Sequence, residues 1–157
     1  EDQRDLFFKA ISAGNGHTCG LEADGKAWCW GSGGAGQLGN DSTSDRLVPH
    51  PVAGGHFFVQ ISAGDQHTCG LKADGSAWCW GNGSSGRLGT GSTASSLVPV
   101  PITGDHVFMS IATGKDHSCG LTDGGQSWCW GLGTNGRLGN GSTSSTSSPA
   151  PVLDPII

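Results

Sequence analysis

The sequence is poor in basic residues and has no long apolar segment. Only 8 residues are lysine or arginine, against 13 acidic ones, which gives a formal net charge of −5. Binding to a nucleic-acid backbone requires clustered basic residues, and those present here are scattered. No apolar run reaches the roughly 20 residues that span a bilayer, and the first five residues are unlike a signal peptide. We therefore expect a soluble chain that binds neither nucleic acid nor membrane.

Apolar core material is also scarce, whereas glycine is abundant. Hydrophobic residues make up 34% of the chain and charged residues 13%, while 29 residues are glycine. This glycine content is well above the roughly 7% that is typical of globular proteins, so it predicts many tight turns. Six tryptophans and five phenylalanines supply the apolar area that disordered linkers lack. The composition favours a β fold with many corners.

Three copies of one unit follow each other without a gap. Residues 7–56 read FFKAISAGNGHTCGLEADGKAWCWGSGGAGQLGNDSTSDRLVPHPVAGGH, and residues 57–106 are identical to them at 31 of 50 positions. The third copy, residues 107–157, keeps HSCGL, WCWG and GRLGNGST at the same spacing, and residues 1–6 form a lead-in. In the second copy, a β-rich run at 57–64, a hairpin turn at 73–75 and a proline-bearing stretch at 97–101 predict about three strands and one edge strand.

These residues resemble the repeats of the regulator of chromosome condensation family. The order ISAGxxHTCGL, DG and WCWGxGxxGxLG recurs in register and covers about 150 of the 157 residues. The resemblance implies an all-β chain in which each unit forms one four-stranded blade of a β-propeller. Because intact rings of the family usually have seven blades, it also implies that three blades are too few.

Three blades would leave two sheet flanks open, and open flanks invite association. We therefore expect a head-to-tail homo-oligomer, either a dimer with six blades or a trimer with nine. In such an assembly the last strand of one chain could complete the first blade of another. The alternative is that the chain is a fragment of a longer propeller, or an engineered or recently duplicated self-assembling one.

Every unit carries one cysteine pair at the same separation. A hairpin that pairs Glu22 with Lys26 places Cys19 opposite Cys29, where Cα atoms lie about 4.5 to 5.5 Å apart. This distance suits a disulfide, which would stabilise each unit by about 2 to 3 kcal/mol. Three disulfides would in turn indicate a secreted or extracytoplasmic protein. The predicted pairs are Cys19 with Cys29, Cys69 with Cys79, and Cys119 with Cys129.

A zinc site is the alternative for the cysteines. His17 lies on the same strand face as Cys19, so that His17, Cys19 and Cys29 could supply three ligands. Structural zinc normally takes four protein ligands, and no fourth recurs nearby. The pattern therefore favours disulfides and no metal. In the family pattern the histidine also occurs where the cysteines are absent, which points to a structural hydrogen bond.

No catalytic signature is present. Gly31, Gly33 and Gly36 match GxGxxG, but the run opens no helix that could hold a pyrophosphate. Residues 40–45 could ligate calcium, although the other copies have too few carboxylates to repeat such a site. We expect a non-enzymatic protein without a cofactor. Three N-x-S sequons, whose use stays open, begin at Asn40, Asn82 and Asn140.

The candidate binding surface is one end of the blades. The turn at 15–16 and the glycine-rich segment after Trp30 should share an end, opposite the hairpin turn at 24–25. The copies differ there, and variation on a fixed scaffold diversifies a repeat surface. Trp30, Trp80 and Trp130 are expected between blades, with ligand stacking as the alternative. The predicted rim comprises Asn15, Trp30, Gln37, Asp65, Gln66, Trp80, Arg87, Lys115, Asp116, Trp130 and Arg137.

We expect this rim to bind a protein partner, as a secreted inhibitor or an adhesion module would. The alternative is a lectin that gains avidity from one glycan site per repeat.

Overall fold

The computed structural model describes residues 5–155, and these form three antiparallel sheets of four strands each. Residues 1–4 of the predicted lead-in and residues 156–157 of the tail lie outside the described part. The exact limits of the three units remain predictions. Blade 1 contains β1 (Ala10–Ala13), β2 (His17–Leu21), β3 (Ala27–Gly31) and β4 (Arg46–Pro51). Blade 2 contains β5 (Gln60–Ala63), β6 (His67–Leu71), β7 (Ala77–Gly81) and β8 (Ser96–Pro101). Blade 3 contains β9 (Phe108–Thr113), β10 (His117–Thr122), β11 (Ser127–Gly131) and β12 (Thr146–Pro151).

The central hairpin of each blade has the predicted register. In blade 1, Cys19 lies opposite Cys29, and the backbone N–H of Glu22 donates to the carbonyl of Lys26 at 2.9 Å. Gly25 closes the turn at φ 95°, in the left-handed region that glycine adopts without strain. The turn chemistry thus fixes which residues face each other. The same pairing recurs between β6 and β7 and between β10 and β11.

The outer strand of each blade is the proline-bearing one. In β4, Pro51 lies opposite Trp28, and the register shifts between Cys29 and Gly31. Proline lacks the N–H that a second neighbouring strand would need, so such a strand stays at the edge of the sheet. The edge strand predicted at 97–101 is β8, Ser96–Pro101.

The strand in the β-rich run at 57–64 is shorter than the sequence predicts: β5 covers only Gln60–Ala63. Phe57 instead forms a bridge with Lys26 of blade 1, and the N–H of Phe58 donates to the carbonyl of Gly25 at 2.8 Å. The start of this apolar run therefore joins two blades. Its β propensity is evident from the sequence, but its partner is the preceding unit.

Each blade is complete in itself. Strands β1 and β4 both come from the first unit, so blade 1 has four strands without help from another chain. The last strand of a second chain is therefore not required to complete blade 1. The strand exchange between chains that the sequence predicts is not supported, because the position of the fourth strand is already occupied by β4.

The apolar core lies between neighbouring blades. We call the side of a blade that carries its disulfide and leucines the trailing face, and the side that carries its phenylalanine and tryptophans the leading face. The trailing face of each blade packs on the leading face of the next. At the first boundary the buried residues are Cys19, Leu21, Ala27, Cys29 and Leu38 against Phe58 and Trp80. At the second they are Cys69, Leu71, Ala77, Cys79 and Leu88 against Phe108, Ile111 and Trp130.

This packing explains how a glycine-rich chain holds a core. Fully burying a large apolar side chain stabilises by roughly 1.5 to 3 kcal/mol, and each boundary buries several such side chains. Stability therefore depends on the presence of a neighbouring blade, as it does in other repeat proteins.

Candidate functional site

The turns that carry part of the predicted rim lie at one end of the blades. The N–H of Ser32, just after β3, donates to the carbonyl of Gly16 at 2.8 Å, so the turn before β2 adjoins the glycine-rich segment. The equivalent bonds join Asn82 to Gln66 and Leu132 to Asp116, both at 2.9 Å. The hairpin turns lie at the other end of each blade. The three equivalent turns thus form one surface.

A polar groove opens where the inner turns of the three blades meet. Its volume is about 450 Å³, and its lining includes Asn15, Asp65 and Lys115, which occupy the same position in the three units. One is neutral, one acidic and one basic. A groove with three different side chains at equivalent positions can distinguish the charges of a bound partner.

An ion pair links two blades beside this groove. The Arg87 guanidinium lies 3.0 Å from the Asp116 carboxylate, and both side chains are largely buried. The side-chain amide of Asn82 donates to that of Gln66 at 2.8 Å. These contacts fix the orientation of the turns at the rim.

Four of the predicted rim residues lie inside the blade boundaries. Gln37 and Arg87 are buried, and Trp80 and Trp130 are fully buried. The indole N–H of Trp80 donates to the carbonyl of Gln37 at 3.0 Å. Trp30 is only half-buried, and its ring stacks on Phe8 at 5.7 Å between centroids. Asn15, Gln66 and Lys115 are exposed, whereas Asp65, Asp116 and Arg137 are half-buried.

Buried histidines connect the blades. At the first boundary, Nε2 of His17 lies 2.8 Å from the hydroxyl of Thr68, and this hydroxyl donates to the carbonyl of Gln37 at 2.8 Å. The hydroxyl hydrogen is thereby used, so His17 is the donor and is neutral with its proton on Nε2. Nε2 of His67 and the hydroxyl of Ser118 repeat this contact at 2.9 Å, and that hydroxyl donates to the backbone carbonyl of Arg87.

Burial favours the neutral form of these histidines. Burial lowers the pKa of His17 to about 4, although nearby Asp65 acts in the opposite direction. Burial, with a smaller effect of Arg87, lowers the pKa of His67 to about 3. The pKa of His117 is also lowered by burial and then by Arg137.

All six cysteines form the predicted disulfides. The pairs are Cys19–Cys29, Cys69–Cys79 and Cys119–Cys129, each with Cα atoms 4.1 Å apart. This pairing leaves no thiolate for the alternative zinc site, and the Nε2 of His17 contacts Thr68 instead. Within residues 5–155, no three His, Cys, Asp or Glu side chains are grouped so that they could hold a metal.

The sequons differ in accessibility. Both side-chain amide atoms of Asn40 are buried, which disfavours attachment of a glycan there. Asn82 and Asn140 accept backbone hydrogen bonds from Ser84 and Ser142 in exposed turns.

In the described part of the chain, no helix has the length and apolar character needed to cross a membrane.

Sequence reasoning missed a second surface, on the trailing face of blade 3. An open groove of about 340 Å³ lies there, and Leu121, Leu138 and Val152 contribute to its lining. A signal was present in the repeat itself. A leucine recurs at 21, 71 and 121, and the first two are buried under the next blade whereas Leu121 is exposed.

Three four-stranded blades, packed face to face through recurring Trp, Phe and Leu residues, define a repeat protein of the β-propeller class. The chain belongs to the regulator of chromosome condensation family. The profile "Regulator of chromosome condensation (RCC1) repeat" matches residues 24–71, 74–121 and 124–156. A second profile of the same description matches residues 8–37, 58–87 and 110–137. No curated protein sequence gives a significant match.

Solved structures with the same blades include Prp20p from Saccharomyces cerevisiae, with a TM-score of 0.84 and 24% identity over 94% of this chain and 38% of that one. Human WBSCR16 has a TM-score of 0.85 and 22% sequence identity, over 96% of this chain and 39% of that one. The ectodomain of the Physcomitrella patens receptor kinase CR4 has a TM-score of 0.60 and 25% sequence identity, over 83% of this chain and 31% of that one. The chain thus spans less than half the length of these relatives.

Proposed function

We propose that the chain is a non-enzymatic propeller module that binds a protein partner through its rim. The observation that carries this proposal is the polar groove in which Asn15, Asp65 and Lys115 occupy equivalent positions with three different charges. Identical backbones present unlike side chains there, which is how repeat scaffolds diversify binding.

The relatives support a protein partner. The structure of Prp20p was reported with its binding to Gsp1p and histones, and yeast RCC1 (Prp20) was crystallised bound to Kap60. The net charge of −5 disfavours contact with a nucleic-acid backbone, so we propose a protein partner and not a nucleic acid for this chain.

We place the protein in an oxidising, extracytoplasmic compartment. Its three disulfides are consistent with that location. The CR4 relative, an ectodomain of a receptor kinase, is an extracellular protein with this fold. The form that we propose is a ring built from more than one copy, and the alternative is a longer propeller in which further blades of the same chain cover the two end faces.

The test is a matched pair of charge reversals. Asp65→Lys changes the rim, and Asp123→Lys makes the same change in an exposed hairpin turn at the opposite end. Partners captured from the native medium by the unaltered chain would be identified, purified and titrated against both variants. We expect Asp65→Lys to weaken binding at least tenfold and Asp123→Lys to leave it unchanged.

Equal binding by both variants would contradict the rim as the surface that binds the partner. Saturable binding of one glycan per repeat on a glycan array, without any protein partner, would favour the lectin alternative instead.

A further inference from the structure

Four asparagines of the chain are followed directly by glycine, namely Asn15, Asn82, Asn135 and Asn140. In such a pair the backbone nitrogen of the glycine can attack the side-chain carbon Cγ of the asparagine, because glycine has no side chain to hinder the approach. The attack requires a glycine nitrogen that can give up its proton and an asparagine side chain that can turn towards it. Hydrogen bonds at the four pairs decide which pair meets both requirements.

The pair in blade 2 is restrained in both respects. The N–H of Gly83 donates to the hydroxyl of Ser95 at 3.0 Å. The carboxamide of Asn82 donates to the side chain of Gln66 and accepts from the N–H of Ser84, both at 2.8 Å. A nitrogen that donates a hydrogen bond is held in its protonated form, and a carboxamide bonded at both ends is fixed in place. Asn82 is therefore a poor substrate for this attack.

The two pairs in blade 3 are each restrained in one respect. The N–H of Gly136, which follows Asn135, donates to the carbonyl of Gly133 at 3.0 Å. The carboxamide of Asn140 accepts from the N–H of Ser142 at 3.2 Å. Each pair must lose one hydrogen bond before it can react, and a loss of this kind slows a step by up to roughly tenfold.

The pair in blade 1 meets both requirements. Asn15 and Gly16 lie in the turn between β1 and β2, and both are exposed. Among residues 5–155, neither the side chain of Asn15 nor the N–H of Gly16 has a hydrogen-bond partner. The turn is held by other groups, because the N–H of Asn15 donates to the carbonyl of Gly64 at 3.2 Å and the carbonyl of Gly16 accepts from Ser32 at 2.8 Å. The two reacting groups are thus available in a turn whose backbone is anchored.

The accessibility of this turn is a property of its position in the unit. Asp65 and Lys115 occupy the place of Asn15 in blades 2 and 3, where a preceding blade is packed. Asp65 is half-buried there and Lys115 is exposed. A preceding blade therefore does not close this position off from water, which the reaction consumes.

We propose that Asn15 is a deamidation site, at which the neutral position of the polar groove becomes acidic. The nitrogen of Gly16 bonds to Cγ of Asn15, its proton passes to the side-chain amide nitrogen, and the bond from Cγ to that nitrogen breaks, so that ammonia leaves. Water then opens the resulting succinimide at one of its two carbonyls and yields aspartate or isoaspartate. Water is consumed, ammonia is released, and no oxidant or cofactor takes part.

The product changes the charge of the groove. Its three equivalent positions carry one neutral, one acidic and one basic side chain before the reaction, and two acidic and one basic afterwards. A change of charge at a binding surface alters its attraction for a charged partner. This consequence rests on the proposed function of the rim, whereas the reaction itself does not. The affinity of the rim for its partner therefore changes as the protein ages.

Mass spectrometry of peptides from protein aged at pH 8 tests the reaction, because deamidation replaces an amide NH2 with the heavier hydroxyl. Conversion at Asn15 should be at least about tenfold faster than at Asn82, where several hydrogen bonds must break first. In urea, where these bonds are absent, the four sites should convert at similar rates. This control separates the effect of the fold from that of the local sequence.

Gly16→Gln provides the matched variant, because Gln66 stands at this position in blade 2. The added side chain hinders the attack, so conversion at Asn15 should fall to no more than the rate at Asn82. Circular dichroism would show that the variant is folded. Conversion at Asn15 no faster than at Asn82 in the folded chain, or unaffected by Gly16→Gln, would overturn the proposal.

Asn15→Asp, which carries the charge of one product from the start, tests the effect on binding. With the partner purified by capture as the probe, Asn15→Asp and Lys115→Gln should shift Kd in the same direction, since both make the groove more negative. Asp65→Asn should shift it in the opposite direction, each by roughly two- to fivefold, as for an exposed charge pair. An unchanged Kd for Asn15→Asp would contradict the effect on binding. The masses report the reaction without any partner, so the reaction and the proposed function can fail independently.

Discussion

His17 donates from Nε2 to the hydroxyl of Thr68 across the first blade boundary, and Thr68 passes a hydrogen bond on to the carbonyl of Gln37. One hydroxyl thus satisfies a side chain and a backbone group of the neighbouring blade. The same relay through His67, Ser118 and Arg87 crosses the second boundary. The relay makes neighbouring blades specific for each other, beyond the non-directional burial of apolar area.

Replacing Thr68 with valine should destabilise the chain. The variant leaves the Nε2 of His17 without its buried partner and the carbonyl of Gln37 with the Trp80 indole as its remaining donor, which costs about 1 to 3 kcal/mol. Urea unfolding followed by tryptophan fluorescence would measure the loss. Thr93→Val, at an exposed position of the same blade, is the control and should change the free energy of unfolding by less than about 0.5 kcal/mol. Equal effects of the two changes would contradict the role of the relay.

Stability should decrease as the pH falls from about 6.5 towards 4. The folded pKa values of His17 and His67, about 4 and about 3, are below the value of 6.5 for an unperturbed histidine. The unfolded chain therefore binds more protons than the folded chain in this window. Each of the two histidines lowers the free energy of unfolding by about 2 to 3 kcal/mol across it. Urea midpoints at pH 7 and pH 4.5 would measure the change.

The double variant His17→Gln, His67→Gln is the control for this pH dependence. It should be less stable than the unaltered chain at pH 7 and should lose less stability on acidification. An unchanged pH dependence in the double variant would assign the effect to the carboxylates instead.

A methyl group at Gly39 should disrupt the first boundary. Gly39 has φ 67°, and its added Cβ would lie 2.7 Å from Nε1 of the buried Trp80. Gly39→Ala should therefore cost about 1 to 3 kcal/mol from backbone strain and displacement of the indole. At Gly34 the space is open and φ is not positive, so Gly34→Ala should be neutral or stabilising by up to about 1 kcal/mol. Thermal unfolding midpoints of the two variants would test this prediction. Equal midpoints would contradict the close packing of Gly39 against Trp80.

Removing the disulfide of blade 2 should cost more than removing that of blade 3. Both close loops of the same length, so the loop-closure contribution of about 2 to 3 kcal/mol is common to them. Cys69 and Cys79 also pack beneath Phe108 and Trp130, whereas Cys119 borders the open groove. Paired serine substitutions in each blade should differ by about 1 kcal/mol or more, since both hydroxyls would be buried in blade 2 but only the one at position 129 in blade 3.

The sequence predicts those features that depend on near neighbours in the chain. The spacing of Glu22 and Lys26 around a glycine turn sets the hairpin register, and with it the pairing of Cys19 and Cys29. The prolines of the outer strand place it at the edge for a reason that is local to the backbone. These inferences need no knowledge of the other blades.

The sequence does not predict contacts that join one unit to the next. The polar side chain of Gln37 predicts a surface position, but its carbonyl accepts from Trp80 inside a boundary. The β propensity around Phe57 predicts a strand of its own blade, but this residue bridges to Lys26. In both cases the partner lies in another repeat, and periodicity within one unit carries no information about which groups the next unit presents.

The disulfides described above join strands of a single hairpin, only 10 residues apart in the chain. Six cysteines allow roughly fifteen pairings, yet the closest partner for each is reached first because short loops close at the smallest entropic cost. Each blade can therefore oxidise as soon as its own hairpin has formed, before the following blade has folded. Native pairing then needs no shuffling between units, and the number of repeats can change during evolution without creating a new mispairing problem.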